Sequence, residues 1–190
     1  MYYYHFLLLV HWCKVIYKNI LIHHIFSSKA HNYFTRAKFE VGHNETIEHS
    51  SVELLEGKGI KGDRFEFSKY PITLFSLEVA KDVCSGLDLE LNIELFRRNI
   101  IVTGVHLNSL IGKKFKINNI EFEGLQHCSP CTWMNAVMKK GAYVSMRGRG
   151  GLRVKVIKSG KLSVGENEFV CENYMEENPL KALVRPNIPS

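Results

Sequence analysis

Long apolar runs are missing from this sequence of 190 residues. The opening segment stays apolar for only about eight residues before His11, whereas a membrane-spanning helix needs about 20. It also lacks the basic start and the small-residue cleavage site of a secretory signal. We therefore expect no transmembrane segment, and we interpret residues 1–18 as an extension outside the domain, with a peripheral anchor as the alternative.

Cysteine is sparse and irregularly placed. The chain has five cysteines, and all but one close pair are widely separated. An odd number at such spacing does not fit the framework of a disulfide-rich secreted domain. We therefore expect a reducing compartment and a cytoplasmic protein.

Acidic residues are absent from two long stretches, residues 1–39 and 124–165, in a chain of net charge +6. This one-sided distribution predicts an anionic partner near the second stretch. No RNP-type signature of stacking aromatic residues accompanies it, so we favour a phosphate-bearing small molecule over nucleic acid. The basic residues of the second stretch are Lys139, Lys140, Arg147, Arg149, Arg153, Lys155, Lys158 and Lys161.

Short apolar segments separated by turn residues dominate the chain. Several alternate apolar and polar residues, as half-buried strands do, and helical periodicity is confined to brief pieces. The sequence therefore predicts one mainly β domain of the α+β class with a few short helices. The predicted strands are 19–26, 51–55, 72–76, 99–105, 114–125, 152–160 and 161–170, and the predicted helices are 76–87, 92–98, 106–112 and 130–141.

Two hairpin turns are predicted within these segments. One lies at Asn118–Asn119 and the other at Ser159–Gly160. Asn and Gly favour such turns because they tolerate the positive φ angles that a two-residue hairpin loop requires.

A glycine-rich loop at residues 57–65 joins three glycines to Asp63 and Arg64. Glycine permits positive φ and close backbone approach, so this loop can present amide N–H groups and the Arg64 guanidinium to an anion. A tight turn in which Asp63 pairs with Arg64 explains the same residues equally well.

A second Gly/Arg stretch, residues 146–153, resembles an anion-binding nest. Its glycines, among them Gly150, would let N–H groups converge while Arg147 and Arg149 supply charge. The stretch does not match a P-loop, which needs Gly-Lys-Ser/Thr at the start of a helix. A flexible turn with solvated arginines is the alternative.

Two adjacent arginines precede the strand predicted at 99–105. Because side chains alternate along a strand, we expect Arg97 and Arg98 to point in different directions. We favour Arg98, together with Asn99, as the pair that faces a site. Arginine binds phosphate in a bidentate fork, and asparagine adds a directional amide.

Cys128 and Cys131 form the one close cysteine pair, in the sequence QHCSPC at residues 126–131. A structural zinc site takes four ligands, and no second C-x-x-C pair is present. A thioredoxin-type dithiol needs a βαβ surrounding that this chain does not show. The pair remains compatible with redox exchange, with a thiolate that binds a soft metal or carries a persulfide sulfur, and with buried structural cysteines.

These motifs occur in one order along the chain, and together they resemble the MOSC domain, named for the C-terminal domain of molybdenum cofactor sulfurase. The resemblance rests on the sequences GKGIKGDR, ITLFSLE, FRRNIIVTGVHLNSLIGKKFKI, EGLQHCSPC and GRGGLRVKVIKSGKLSVGE. The segment ILIHHIFSSKAHNYFTR is similar to the first strand and following loop of stand-alone bacterial members. The resemblance covers about residues 19–170 and leaves 171–190 as a C-terminal tail.

The resemblance implies a β-barrel and a role around molybdenum cofactor, a molybdopterin with an anionic phosphate. Family members bind this cofactor or carry sulfur to it, with a cysteine as molybdenum ligand or persulfide carrier. That role falls here on Cys131, and Cys128 is a neighbour that resolves, assists or packs. The matching candidates for cofactor contacts are Arg64, Arg98, Asn99 and Arg149, and the nest-like stretch adds Arg147 and Gly150.

The chain departs from the family pattern in two respects. Phe65 stands where many stand-alone members have histidine. The complete sulfurase also carries an aminotransferase-like domain, for which 190 residues leave no room, so we expect no pyridoxal phosphate site. The cysteine spacing of a ferredoxin module is missing as well, so a reductase would need electrons from separate proteins.

Three functions are compatible with these observations. The first is a protein that binds molybdenum cofactor, extended to reduction of N-hydroxylated compounds with external electron-transfer proteins. The second is a sulfur carrier that accepts a persulfide sulfur from a cysteine desulfurase and delivers it to a metal or cofactor centre. The third is a non-catalytic binding module whose cysteines pack in the core.

Overall fold

The computed structural model describes residues 15–28 and 46–184, and these form ten strands and three short α-helices. The strands are β1 (Val15–Ser28), β2 (Thr46–His49), β3 (Ser51–Leu54), β4 (Ile72–Ser76), β5 (Ile100–Thr103), β6 (Lys114–Ile117), β7 (Ile120–His127), β8 (Leu152–Lys158), β9 (Gly160–Ser163) and β10 (Gly165–Glu172). The α-helices are α1 (Leu77–Gly86), α2 (Trp133–Val137) and α3 (Ala142–Ser145). Two 3-10 helices, Ile93–Phe96 and Leu107–Leu110, complete the described elements.

Seven of the strands close into a barrel. Their order is β10, β6, β7, β8, β4, β5, β1, and β1 pairs back onto β10 to complete the ring. All neighbours in the ring are antiparallel except β4 and β5, which run parallel. This confirms the expected mainly β barrel with a few short helices.

The ends of the chain differ in detail from the expected domain boundaries. β1 begins at Val15, ahead of the expected boundary at Asn19, and Val15 pairs with Glu172 at the end of β10. Tyr174 follows β10 and is buried. The barrel therefore uses residues on both sides of the expected 19–170 range, and residues 1–14 lie outside those that the structure describes.

One predicted hairpin is confirmed and the other is wrong. β6 and β7 join through Asn118, which has a φ of 52°, with Ile117 opposite Ile120. β9, in contrast, pairs with β3 and not with β8. β7 pairs with β8 as far as Lys158, β4 pairs with residues 152–154, and the carbonyl oxygen of Val156 accepts from the N–H of Gly57, so β9 pairs elsewhere.

The apolar residues form two clusters on opposite sides of the barrel wall. The first fills the barrel and includes stacked rings of Phe115 and Phe122, whose centroids are 5.4 Å apart. The second lies outside, where α1, α2 and α3 cover β4 and β5. β4 and β5 are buried on both faces, which explains their continuous apolar sequences.

No helix among the described residues is both long enough and apolar enough to cross a membrane.

Candidate functional site

A cavity of about 300 Å³ opens on the outside of the barrel. Its walls come from the ends of β1 and β2, the loop before β4, the turn before β5, the connection from β7 to α2, and β8. The ionisable groups that line it are Arg64, Arg97, Arg98, Arg153, Glu94, Cys128, Cys131 and the phenol of Tyr70. Four guanidinium groups and a single carboxylate among the described lining residues make the cavity electropositive.

Arg98 is held rigidly in the cavity wall by backbone carbonyl groups. Its Nε donates to the carbonyl oxygen of Gly150 at 2.9 Å, and Nη1 donates to that of Phe96 at 2.9 Å. Burial lowers the pKa of this guanidinium, and the Cys128 thiolate opposes the shift. Within the described part of the chain no carboxylate forms an ion pair with Arg98, so its charge is available to an anion.

Arg97 also lines the cavity, contrary to the expectation that the two arginines face different ways. The alternation of side chains along a strand does not apply here, because Arg97 precedes β5 and has a left-handed backbone conformation with a φ of 55°. Partial burial lowers the pKa of its guanidinium, Arg64 lowers it further, and the Cys131 thiolate raises it. Arg97 therefore lies within electrostatic range of Cys131.

Arg153 enters the cavity from β8, between inward-facing Leu152 and Val154. Its guanidinium lies over the ring of Tyr70, 4.7 Å from the centroid. Its Nε is buried and has no hydrogen-bond partner among the described residues. The alternation of β8 could have identified this outward arginine, but the sequence alone does not show that the cavity lies on that face.

Arg64 reaches the cavity from the loop at residues 57–65. Its guanidinium lies over the ring of Phe65, 4.5 Å from the centroid. The preceding Asp63 is buried, and its carboxylate accepts from the N–H of Ser28 at 2.7 Å and of Phe65 at 2.8 Å. Asp63 thus fixes the loop against β1 and thereby positions Arg64.

The two cysteines of the close pair both line the cavity but differ in exposure. Cys131 is the only exposed cysteine of the four in the described residues, whereas Cys128 is buried with 4% of its surface accessible. An exposed thiol does not fit the reading in which both cysteines pack in the core. Beside them, His127 accepts at Nε2 from the N–H of Gly150 at 3.0 Å.

Asn99 lies in the wall, but its side chain is hydrogen-bonded to neighbouring strands. Its Oδ1 accepts from the N–H of Thr73 at 3.0 Å and from the Thr73 hydroxyl at 2.9 Å. Its Nδ2 donates to the carbonyl oxygen of Phe26 at 3.2 Å. Asn99 therefore ties β1 and β4 to the start of β5.

The remaining predicted site residues, Arg149, Arg147 and Gly150, do not line the cavity. Arg149 faces α1 and α3, where Nη1 donates to Asp82 at 2.6 Å and Nη2 to the carbonyl oxygen of Ser145 at 2.7 Å. Arg147 is exposed and does not line the cavity. Gly150 acts through its backbone, which accepts from Arg98 and donates to His127.

A metal ion at this site would need ligands from outside the protein. Among residues 15–28 and 46–184, no three His, Cys, Asp or Glu side chains converge in an arrangement that could hold a metal ion. Cys131 supplies one soft sulfur, and the arginines supply only positive charge. This donor set fits a metal that arrives with its own anionic organic ligand.

The family model for the MOSC domain matches residues 61–167, which is more than half of the 190 residues, so the chain belongs to the MOSC family. This confirms the resemblance drawn from the motifs. The comparison with curated proteins finds no match to the chain.

Solved structures with the same fold come from several bacteria. YuaD from Bacillus subtilis has a TM-score of 0.68 at 14% identity, covering 84% of this chain and 99% of its own. YiiM from Geobacillus stearothermophilus has a TM-score of 0.58 at 13% identity, covering 80% and 74%. YiiM from Escherichia coli has a TM-score of 0.57 at 16% identity, covering 84% and 74%. At these identities the likeness concerns the fold alone.

Proposed function

We propose that this MOSC-family protein binds molybdenum cofactor in the electropositive cavity. The Cys131 thiolate is the protein ligand to molybdenum, and Arg64, Arg97, Arg98 and Arg153 surround the anionic phosphate of the pterin. The observation that carries the proposal is that the only exposed thiol among residues 15–28 and 46–184 opens into the same cavity as four arginines. MOSC domains are associated with this cofactor in general.

The residues of the cavity suit both parts of such a ligand. A thiolate is a soft donor and prefers a soft metal, whereas guanidinium groups bind phosphate in directed pairs of hydrogen bonds. Arg98 is hydrogen-bonded only to uncharged carbonyl groups, and the Nε of Arg153 has no hydrogen-bond partner among the described residues, so an anion would stabilise both guanidinium groups. When bound, the cofactor would supply two-electron redox chemistry at molybdenum.

We extend the proposal to reduction of N-hydroxylated compounds, with electrons delivered by separate electron-transfer proteins. The exposed position of Cys131 leaves the metal side of the cavity open to a small substrate. The chain's own residues hold the cofactor in this reaction: Arg98 is fixed by carbonyl groups and therefore needs little reorganisation to meet an anion.

The test is the molybdenum and pterin content of protein purified anaerobically from a host supplied with molybdate. We expect near-stoichiometric molybdenum in the wild type, loss of most of it in Cys131→Ser, and retention in Cys84→Ala. Cys84 is a matched control because it is buried in α1 and does not line the cavity. Equal molybdenum in wild type and Cys131→Ser, or none in either, would contradict the proposal.

A persulfide carrier is the second candidate, favoured by the exposure of Cys131 beside Arg97. An accessible thiolate next to a cation can meet the active site of a cysteine desulfurase and accept sulfur. This function predicts a gain of about 32 Da on Cys131 after incubation with desulfurase and cysteine, the mass of one sulfur atom. A wild-type protein that never acquires this sulfur would exclude it.

A further inference from the structure

Cys128 and Cys131 share the cavity but occupy different depths. Both line it, three positions apart in sequence, with Cys131 exposed and Cys128 buried. The other two described cysteines lie elsewhere, Cys84 in α1 and Cys171 in β10. An exposed thiol next to a buried one is the arrangement in which an oxidant reaches one sulfur and the second resolves the product.

The segment that joins the two cysteines is anchored at both ends. The N–H of Cys128 donates to the carbonyl oxygen of Gly151 at 2.7 Å, and the carbonyl oxygen of Cys131 accepts from the N–H of Met134 at 3.0 Å. Pro130 lies between them and restricts the backbone. The thiols are therefore held on one short, constrained segment, and they have the C-x-x-C spacing of reversible disulfides.

Arg98 provides a second observation on the same pair. Both sulfurs lie within electrostatic range of its guanidinium, which the carbonyl groups of Gly150 and Phe96 fix in the wall. The two sulfurs therefore face the same fixed cation, although only one of them is exposed.

We propose that Cys128 and Cys131 form a reversible dithiol–disulfide pair that is oxidised by hydroperoxides. The Cys131 thiolate attacks the peroxide, an S–O bond forms as the O–O bond breaks, and an alcohol or water leaves after protonation. The Cys128 sulfur then displaces the hydroxyl group, which leaves as water while the S–S bond forms. The two thiols together give up two electrons and two protons, and the peroxide accepts them.

The consequence rests on the proposed function. A disulfide removes the Cys131 thiolate from the cavity, so the oxidised protein can no longer offer its sulfur to a metal. A dithiol reductant restores both thiols. The pair thereby makes occupation of the site dependent on redox conditions.

The test is a peptide map of the protein as purified, treated with a small excess of hydrogen peroxide. Tryptic cleavage after Lys116 and Lys139 gives peptide 117–139, which contains Cys128 and Cys131 and no other cysteine. We expect this peptide to be lighter by about 2 Da and to take up no alkylating reagent after unfolding. After reduction the same peptide should take up two molecules of the alkylating reagent. Alkylation of Cys84 and Cys171 in the same sample serves as the internal control.

Two variants complete the test. Cys128→Ser removes the resolving sulfur, so the Cys131 sulfenic acid should accumulate and be trapped by dimedone. Cys131→Ser leaves the buried Cys128, which we expect to stay reduced under the same treatment. A wild-type peptide that stays fully alkylatable, or that carries oxidised Cys131 beside a free Cys128, would overturn the inference.

These outcomes separate this inference from the proposed function. The disulfide is measured in peptide mass and does not require molybdenum. Wild-type protein that holds molybdenum through Cys131 but forms no disulfide would refute only the redox pair. Protein that forms the disulfide but never binds molybdenum would refute only the cofactor role.

Discussion

Arg98 and Asn99 are neighbours in sequence but perform different tasks in the cavity wall. The amide of Asn99 makes three hydrogen bonds to Thr73 and Phe26, whereas the guanidinium of Arg98 donates only to uncharged carbonyl groups. Asn99 therefore stabilises the wall, and Arg98 supplies charge to it. The sequence could suggest both residues for a site, but it could not show that the amide of Asn99 is used in hydrogen bonds that hold the strands together.

Replacing Asn99 tests its structural task. Asn99→Ala removes three hydrogen bonds and leaves the N–H of Thr73 and the carbonyl of Phe26 without this partner. We expect the free energy of unfolding in urea to fall by about 2–3 kcal/mol. Asn119→Ala, at an exposed turn position, is the matched control and should change it by less than about 0.5 kcal/mol. If Asn99→Ala left the free energy of unfolding unchanged, Asn99 would not have this structural role.

Replacing Gly150 tests how closely its backbone packs against the segment from Cys128 to Cys131. A Cβ atom there would overlap the carbonyl oxygen of Cys128, a backbone atom that cannot simply move aside. We expect Gly150→Ala to lower the free energy of unfolding by about 2–3 kcal/mol in the same assay. Gly86→Ala has open space around its Cβ and should be neutral or slightly stabilising. Equal effects of the two substitutions would contradict this packing.

At the scale of elements, the two Gly/Arg segments contribute differently from what their sequences suggest. The loop at 57–65 delivers Arg64 to the cavity as predicted. The stretch at 146–153 delivers Arg153 from β8, while Arg149 packs against α1 and α3. A segment rich in glycine and arginine indicates close backbone approach and positive charge. It does not indicate the direction in which each arginine side chain points.

Arg149 is therefore expected to affect stability through its contact with α1. Arg149→Ala removes the ion pair with Asp82 and the hydrogen bonds to the Ser145 carbonyl. Because Asp82 is 44% exposed, solvent weakens the ion pair, and we expect a loss of about 1–2 kcal/mol in urea unfolding. Arg147→Ala is the matched control and should be near neutral. If both variants unfolded like the wild type, the structural assignment of Arg149 would be wrong.

At the scale of the whole molecule, the barrel brings together cavity residues that are far apart in sequence. Arg64, Arg97, Cys131 and Arg153 come from four different parts of the chain. Alternating patterns predicted most strands, the motif order predicted the barrel, and the turn at Asn118–Asn119 was correct. Strand order could not be predicted from local patterns, because pairing depends on which edges are free, as β8 and β9 illustrate.

The segment after β10 gives the whole fold a pH dependence. Burial raises the pKa of Tyr174 to about 12, and its hydroxyl oxygen accepts from the N–H of His106. In the unfolded chain tyrosine ionises near pH 10, so stability present below pH 10 is lost as the pH rises towards 12. Between pH 9 and pH 11 the wild type should lose roughly 1 kcal/mol more than Tyr174→Phe in urea unfolding. If the free energies of unfolding of the wild type and Tyr174→Phe changed in parallel with pH, this role of Tyr174 would be wrong.

The central claim is that the cavity, and not the nest-like stretch beside it, binds the anionic cofactor. The most direct measurement is the pterin content of Arg153→Ala and Arg147→Ala, purified in parallel with the wild type. Both remove one arginine from residues 146–153, but only Arg153 lines the cavity. We predict at least about tenfold less pterin in Arg153→Ala and wild-type content in Arg147→Ala. Loss in Arg147→Ala with retention in Arg153→Ala would contradict the account.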